Sequence, residues 1–262
     1  MLIDSHCHLD FPELTSDESG VLARARTAGV AGMLTISTRL DQFERVRAIA
    51  ERHENVWCSV GVHPHEAKEE GQRTPDRLIE ATRHPKVVGI GETGLDFYYE
   101  HSPREEQAES FRAHIAASRE TGLPLIVHTR NADAETGDML EEEHGKGAFP
   151  GLIHCFSSGR AVAERALALG FYISISGIVT FKAAEDLRAI VRDMPLDRLL
   201  VETDAPYLAP IPKRGKTNEP AFVAHTAAKV AELKGVSLAE LEAATTDNFF
   251  RLFTKAERSR CV

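Results

Sequence analysis

Val87-Val88-Gly89-Ile90-Gly91-Glu92 is an apolar run closed by a carboxylate. An amphipathic stretch at 103–121 follows it, and past Gly122 comes a second apolar run, Pro124-Leu125-Ile126-Val127-His128. Each run is too short for a helix and is bounded by turn residues, so each reads as a buried strand. A strand, a helix and a second strand in succession specify a parallel pair with a crossover. The same alternation continues in both directions. Strands are expected at 1–6, 31–37, 56–62, 87–92, 124–128, 151–154, 171–176 and 198–202. Helices are expected at 17–28, 41–52, 103–121, 161–169 and 183–191, with Gly29, Gly170 and Met194-Pro195 among the joins. Eight repeats without a Pro/Gly/Ser-rich linker fit a closed α/β barrel, (β/α)8, better than an open doubly wound sheet. No G-x-G-x-x-G follows the first strand, which also weakens the dinucleotide-fold alternative. Two further helices, near 220–233 and 238–253, are expected to pack on the outside of the barrel.

Composition agrees with a single domain over residues 1–262. The length is close to the ~250 residues typical of such a barrel. With 42% hydrophobic and 27% charged residues, the chain can bury a sizeable core and is not disordered. The 31 basic residues against 40 acidic ones give a net charge of −9. That balance disfavours a protein that coats a polyanion or a membrane surface, because such binding needs surplus Lys and Arg. It leaves room for an enzyme that meets phosphate locally, since bound divalent cations add charge that composition does not count. The four cysteines show no C-x-x-C spacing, and the first residues have no basic n-region or apolar h-region. No run approaches the ~20 apolar residues of a membrane span. A cytoplasmic location with reduced thiols is expected, and no membrane or obligate protein partner. The acidic patches at 66–70 and 141–143 are expected to be solvated surface.

Polar residues collect where these strands end. The first strand runs into Asp4-Ser5-His6-Cys7-His8, where alternation puts His6 and His8 on one face and Cys7 on the other. Glu92 closes the fourth strand, His128 the fifth, His154 the sixth, and Glu202-Thr203-Asp204 the eighth. The C-terminal ends of the strands form the working face of a β/α barrel. Any one of these residues alone has an ordinary explanation: a hydrogen-bonded histidine, a helix-capping glutamate, a turn aspartate before Pro206. Together, His6, His8, Glu92, His128, His154 and Asp204 bring six potential ligands from five strand ends, which points to a metal site. Six protein groups crowd one catalytic cation that must keep an open position, so the set suggests two cations, with a carboxylate such as Glu92 able to bridge them. His63 and His65 follow the third strand and are candidates for contact with a substrate oxyanion. The other histidines (His53, His84, His101, His114, His144, His225) fall on helices or loops and are expected to have packing or surface roles. Cys155 is expected to be a small buried apolar group.

The ordered series of motifs resembles the TatD family of metal-dependent deoxyribonucleases within the amidohydrolase superfamily. The matching segments begin with Asp4-Ser5-His6-Cys7-His8-Leu9-Asp10, Gly61-Val62-His63-Pro64-His65 and Gly91-Glu92-Thr93-Gly94-Leu95-Asp96. They continue through His128-Thr129-Arg130, His154-Cys155-Phe156, Glu202-Thr203-Asp204-Ala205-Pro206-Tyr207 and the basic loop Arg214-Gly215-Lys216-Thr217-Asn218-Glu219-Pro220. Ser158 and Thr217 depart from the usual pattern, and neither is a proposed ligand.

The resemblance implies a binuclear site. One ion would be held by His6, His8, Glu92 and Asp204, and the other by Glu92, His128 and His154. A carbamylated lysine is the usual alternative bridge in the superfamily, but Lys86 starts the fourth strand, about six residues at ~3.3 Å each from its catalytic end. Glu92 and Asp204 are then the expected catalytic carboxylates, with Asp204 accepting a proton from water. Arg130, Lys213, Arg214 and Lys216, together with His63 and His65, are the expected substrate-binding residues. Tyr98 and Tyr99 could stack a base or simply pack. The expected reaction is hydrolysis of phosphodiester bonds at DNA ends, exonuclease activity that depends on Zn, Mn, Ni, Fe or Mg. A carbonyl ester or amide hydrolase, such as an aminoacyl-tRNA deacylase, is the alternative. A non-catalytic barrel would tolerate loss of Glu92 or Asp204, and both are present.

Overall fold

The computed structural model describes residues 1–69 and 75–261. Its eight strands are β1 (Leu2–Cys7), β2 (Val30–Thr35), β3 (Val56–Val60), β4 (Val87–Asp96), β5 (Leu125–Arg130), β6 (Gly151–Ile153), β7 (Tyr172–Ile175) and β8 (Leu199–Val201). All pair in parallel and in sequence order. The seam between β1 and β8 is closed by a parallel bridge from Cys7 to Ala205. There the His8 N–H donates to the Ala205 carbonyl (2.8 Å) and the Asp204 N–H to the His6 carbonyl (2.9 Å). Buried Asp4 adds a side-chain cross-link, accepting from the Thr203 N–H at 2.9 Å and the Thr203 hydroxyl at 2.6 Å. The expected (β/α)8 barrel is therefore the observed fold.

The helices are α1 (Pro12–Thr15), α2 (Glu18–Thr27), α3 (Phe43–Arg52), α4 (Pro75–Thr82), α5 (Arg104–Thr121), α6 (Asp133–Lys146), α7 (Arg160–Ala168), α8 (Glu185–Asp193), α9 (Val223–Lys234) and α10 (Leu238–Leu252). Local chemistry sets several ends. Gly122 at φ +70° and Gly235 at φ +65° terminate α5 and α9 in the left-handed region. Ser237 and Glu240 form a reciprocal capping box that starts α10.

Every strand contributes one side chain to an apolar floor inside the barrel: Ile3, Leu34, Trp57, Val88, Ile126, Leu152, Tyr172 and Leu200. Phe249, Leu252 and Phe253 join the same cluster. The last helix thus corrects the expectation that it packs only on the outside. It lies across the strand starts, held by Asn248 donating to the Leu196 and Leu199 carbonyls and by Lys255 donating to the His84 carbonyl (2.7 Å). The physical reason is that an open barrel base leaves eight apolar side chains facing water, and the aromatic face of α10 covers them.

Side chains in a strand repeat every two residues. Two positions beyond the floor stand Ser5, Ser59, His128, His154, Ser174 and Glu202, with apolar Ile36 and Ile90 at the corresponding places on β2 and β4. Ser5 and Ser174 meet there through their hydroxyls at 2.9 Å. The period thus raises an apolar floor into a polar layer toward the mouth. Two irregularities adjust it. The β1–β2 register slips between Asp4 and Cys7, and the β4–β5 register slips between Ile90 and Thr93, close to His6 and Glu92 respectively. Beyond its slip β4 runs on to Asp96, longer than expected, pairing Gly94 with His128 and Asp96 with Arg130. Gly94 makes this possible: at φ +138°, any Cβ would fall on the His128 carbonyl oxygen.

Two expectations about burial need correction. Glu143 is buried rather than solvated, because α6 turns it against the Arg119 guanidinium at 2.9 Å and the Lys146 ammonium at 2.8 Å. Glu70 of the other acidic patch lies outside the described residues. Cys155 is half-buried at φ +42°, and its thiol meets the Ser176 hydroxyl at 3.3 Å instead of filling the apolar core. Among the described residues, no helix is long and apolar enough to cross a membrane.

Candidate metal centre

Glu92 is buried at the barrel mouth, and its two oxygens face different sets of imidazoles. Oε2 lies 3.4 Å from His6 Nε2 and 4.0 Å from His8 Nε2. Oε1 lies 2.7 Å from His154 Nε2, 3.1 Å from His128 Nδ1 and 3.4 Å from His63 Nε2. Asp204 Oδ1 closes the first set, 3.4 Å from His8 Nε2 and 3.7 Å from His6 Nε2. The His6 and His154 rings stack at 3.8 Å, which joins the two sets into one cluster. All six residues expected as ligands therefore meet around one carboxylate.

The cluster suits cations on two grounds. Among the described residues, both ring nitrogens of buried His6, and Nδ1 of buried His8, find no hydrogen-bond partner. Leaving such atoms dry and unpaired is costly unless something else engages them. The electrostatics also favour positive charge at the centre. Burial works to raise the Glu92 carboxyl, but His154, His63 and His128 outweigh it and hold it well below its ordinary value. Burial works to lower His154 and His128, yet carboxylates more than offset this: Glu92 and Glu202 raise His154, and Asp96 and Glu92 raise His128. Asp204 is likewise held low, with His8 and His6 overcoming the effect of burial. Imidazole and carboxylate donors together suit Zn, Mn, Ni or Fe, and Mg less well.

His63 stands near Glu92 and His128 but differs from them in its proton. Its Nδ1 accepts the His65 backbone N–H at 3.1 Å. Burial lowers its pKa to about 4, so the ring is neutral, and with Nδ1 occupied as an acceptor the single proton sits on Nε2. That N–H faces Glu92 Oε1 at 3.4 Å, and His63, Glu92 and His128 together form a group able to hold a metal ion. His65 Nε2 instead meets Asp96 Oδ2 at 2.9 Å, and its ring edges against those of Tyr99 and His101.

Of the expected substrate contacts, Arg130 lies at the mouth on the end of β5, its guanidinium 4.2 Å from the Tyr98 ring centre and 4.6 Å from that of Tyr99. The basic loop is tied to the segment after β8 by Asn218, which donates to the carbonyls of Thr203 (2.8 Å) and Tyr207 (2.5 Å). Within it, Lys213 and Arg214 lie over the rings of Phe222 and Phe181. Among the described residues, Arg130, Lys213, Arg214 and Lys216 have no carboxylate partner, so their charge is available to an anion. Among the described residues, no hydrogen bond or ion pair joins these basic side chains to the ligand cluster. Lys86 is excluded as a bridge because its ammonium donates to the carbonyls of His53, Glu54 and Val56 at the strand starts. His114 is structural, accepting the Val62 N–H at Nε2 (3.0 Å).

Reasoning from sequence missed two buried carboxylates behind the ligands. Asp96 Oδ2 lies 3.2 Å from His128 Nε2, and Glu202 Oε1 lies 3.3 Å from His154 Nδ1. Glu202 could have been found, since it directly follows β8 and stands two residues before Asp204. Asp96 had only its place in a motif.

A parallel barrel whose strand ends gather imidazoles around a shared buried carboxylate is the architecture of a metal-dependent hydrolase. The chain belongs to the TatD family: residues 3–254 match the family described as TatD related DNase. It is 48% identical over 255 residues to the uncharacterized metal-dependent hydrolase YcfH of Escherichia coli, covering 96% of this chain and 95% of that protein. It is 36% identical over 258 residues to the 3'-5' ssDNA/RNA exonuclease TatD of Enterobacter lignolyticus, covering 96% and 98%. The crystal structure of YjjV, a TatD homologue from Escherichia coli, superimposes with a TM-score of 0.90 at 31% identity over 97% of this chain and 98% of that one.

Proposed function

We propose that the chain is a nuclease that removes nucleotides from DNA ends, using two divalent cations held at the barrel mouth. The observation that carries the reading is the division of Glu92: one oxygen faces His6 and His8, the other His128 and His154. One ion would take His6, His8, Asp204 and Glu92, and the other His128, His154 and Glu92. Bound there, divalent cations lower the pKa of water and offset charge that builds on phosphoryl oxygens.

The chain's own groups supply the rest. Asp204, ionised and set against His8, accepts the proton of the attacking water. The His63 Nε2–H faces Glu92 Oε1 in the metal-free site; once cations engage that carboxylate, it would be free to donate to a phosphoryl oxygen. Arg130 and the Lys213, Arg214 and Lys216 loop hold neighbouring phosphates, and only a few basic residues are needed because the grip covers only the last nucleotides. A recessed mouth admits a free end more readily than the interior of a stiff duplex. The name of the Enterobacter relative, an exonuclease on single-stranded DNA and RNA, supports this reading.

The test is a panel of end-labelled single-stranded DNA, RNA, blunt duplex, closed single-stranded circles and aminoacyl-tRNA, each with and without chelator. Stepwise, chelator-sensitive release of mononucleotides from single-stranded ends is expected. Comparable cutting of circles would make the enzyme an endonuclease. Turnover of aminoacyl-tRNA alone would establish a carbonyl hydrolase instead.

A further inference from the structure

The two sets of ligands are built differently behind the mouth. Among the described residues, nothing hydrogen-bonds to the Nδ1 atoms of His6 and His8. His128 and His154 each set one ring nitrogen toward Glu92 and the other toward a buried carboxylate. They do so in opposite senses. His128 turns Nδ1 to Glu92 and Nε2 to Asp96, while His154 turns Nε2 to Glu92 and Nδ1 to Glu202. The two nitrogens facing Glu92 come within 3.4 Å of each other.

We propose that Asp96 is a positioning residue that selects the tautomer of His128, holding the proton on Nε2 so that the Nδ1 lone pair is presented at the metal centre. The proposal rests on the reading of His128 as a ligand. Asp96 is built for the role. Its Oδ1 accepts both the Tyr98 and Tyr99 backbone N–H groups at 3.0 Å, so the turn after β4 clamps the carboxylate. Its backbone is clamped as well, because Gln107 accepts the Asp96 N–H (2.8 Å) and donates to the Asp96 carbonyl (3.1 Å). Only Oδ2 is left to face the histidines. It meets His128 Nε2 and His65 Nε2, and an ionised carboxylate oxygen can only accept. Each imidazole must therefore carry its proton on Nε2. A metal-ligating histidine whose second nitrogen donates to a carboxylate is held in both tautomer and ring orientation.

Glu202 acts on His154 with less leverage. Its Oε1 accepts the Cys155 backbone N–H at 2.7 Å and faces His154 Nδ1 with the same oxygen, while Oε2 has no partner. The two carboxylates therefore respond differently to amide substitution. In Asp96→Asn, the amide oxygen must stay where the Tyr98 and Tyr99 N–H groups need an acceptor. The NH2 then takes the place of Oδ2 and can only donate. His128 must accept it at Nε2, and its proton moves to Nδ1, the nitrogen needed for the cation. In Glu202→Gln, the amide oxygen can keep both of its bonds, so the His154 tautomer survives.

The experiment uses the full chain with 15N-labelled histidine. Long-range 1H–15N spectra of the metal-free wild type should show a proton on His128 Nε2, facing Asp96, and on His154 Nδ1, facing Glu202. Asp96→Asn should remove the Nε2 proton of His128 alone. Titration with Co2+, followed by its d–d absorption, should show one of two ions weakened by about 10–100-fold in Asp96→Asn and less than that in Glu202→Gln. The other ion should bind as before. A wild-type His128 with no proton on Nε2 would overturn the proposal without using any variant. So would an Asp96→Asn chain that keeps the wild-type tautomer and both affinities. A wild type that binds no Co2+ would remove the metal reading itself, and the tautomer spectra would still decide the role of Asp96. None of these measurements needs a nucleic-acid substrate, so failure of the nuclease reading is told apart.

Discussion

Glu92→Gln should abolish most of the stabilisation that divalent metal gives the fold, because Glu92 is the one group common to both sets of imidazoles. Removing its charge weakens both ions at once. An ion that binds only the folded chain, present at about 100 times its dissociation constant, adds about 2.7 kcal/mol to folding stability. Two such ions add about 5 kcal/mol. For a chain of this size each kcal/mol raises Tm by about 2–4 °C, so saturating metal should raise the wild-type Tm by about 10–20 °C. His154→Ala touches only the set facing Oε1 and should keep about half of that rise, whereas Glu92→Gln should keep almost none. The assay is differential scanning calorimetry of each protein with chelator and with added Zn2+ or Mn2+. Comparing each variant with itself cancels any change that the substitution makes to the metal-free fold. A full rise in Glu92→Gln would refute the shared bridge. Equal, complete losses in Glu92→Gln and His154→Ala would mean that one ion is bound, not two.

Asp204→Asn should slow oligonucleotide turnover by about 10²-fold or more while keeping most of the metal-induced rise in Tm, since an amide cannot accept the proton; single-turnover kinetics beside calorimetry measure both. Gly94→Ala places a Cβ on the His128 carbonyl at φ +138° and should cost about 3 kcal/mol or more, read as a lower urea midpoint. An unchanged midpoint would contradict the β4–β5 pairing. Phe253→Ala opens the floor of the barrel and should cost about 3–5 kcal/mol, with activity per folded molecule retained. Burial works to raise Glu18, but bonds from Arg52 and His53 hold its carboxyl below the ordinary 4.5. Its contribution is present above pH 4.5 and lost as pH falls through the depressed folded value; with its partner Arg52 exposed to solvent, it is worth at most about 1 kcal/mol. Tm measured from pH 6 to pH 3 should fall less steeply in Glu18→Gln, and parallel curves would show that the pair contributes nothing.

The sequence by itself determined the barrel and the six residues that gather at its mouth. Both depend on short-range rules. Alternation of two in Asp4-Ser5-His6-Cys7-His8 and the apolar runs ending in Glu92, His128 and His154 are properties of neighbouring residues, and the working end of a parallel barrel follows from chain direction. Only the tertiary structure decided what those residues do to one another. That Asp96 faces His128 across 32 positions, or Glu202 faces His154 across 48, depends on which strands lie side by side and in what register. The slips beside His6 and Glu92 depend on backbone hydrogen bonds to the adjoining strands, which no local pattern encodes. The same holds for the last helix. Its aromatic residues showed that it had a face to bury, but where that face went was decided by an open barrel floor assembled from all eight strands. Local periodicity says which side of an element is apolar or ligand-bearing, and the partner it meets is a property of the closed sheet.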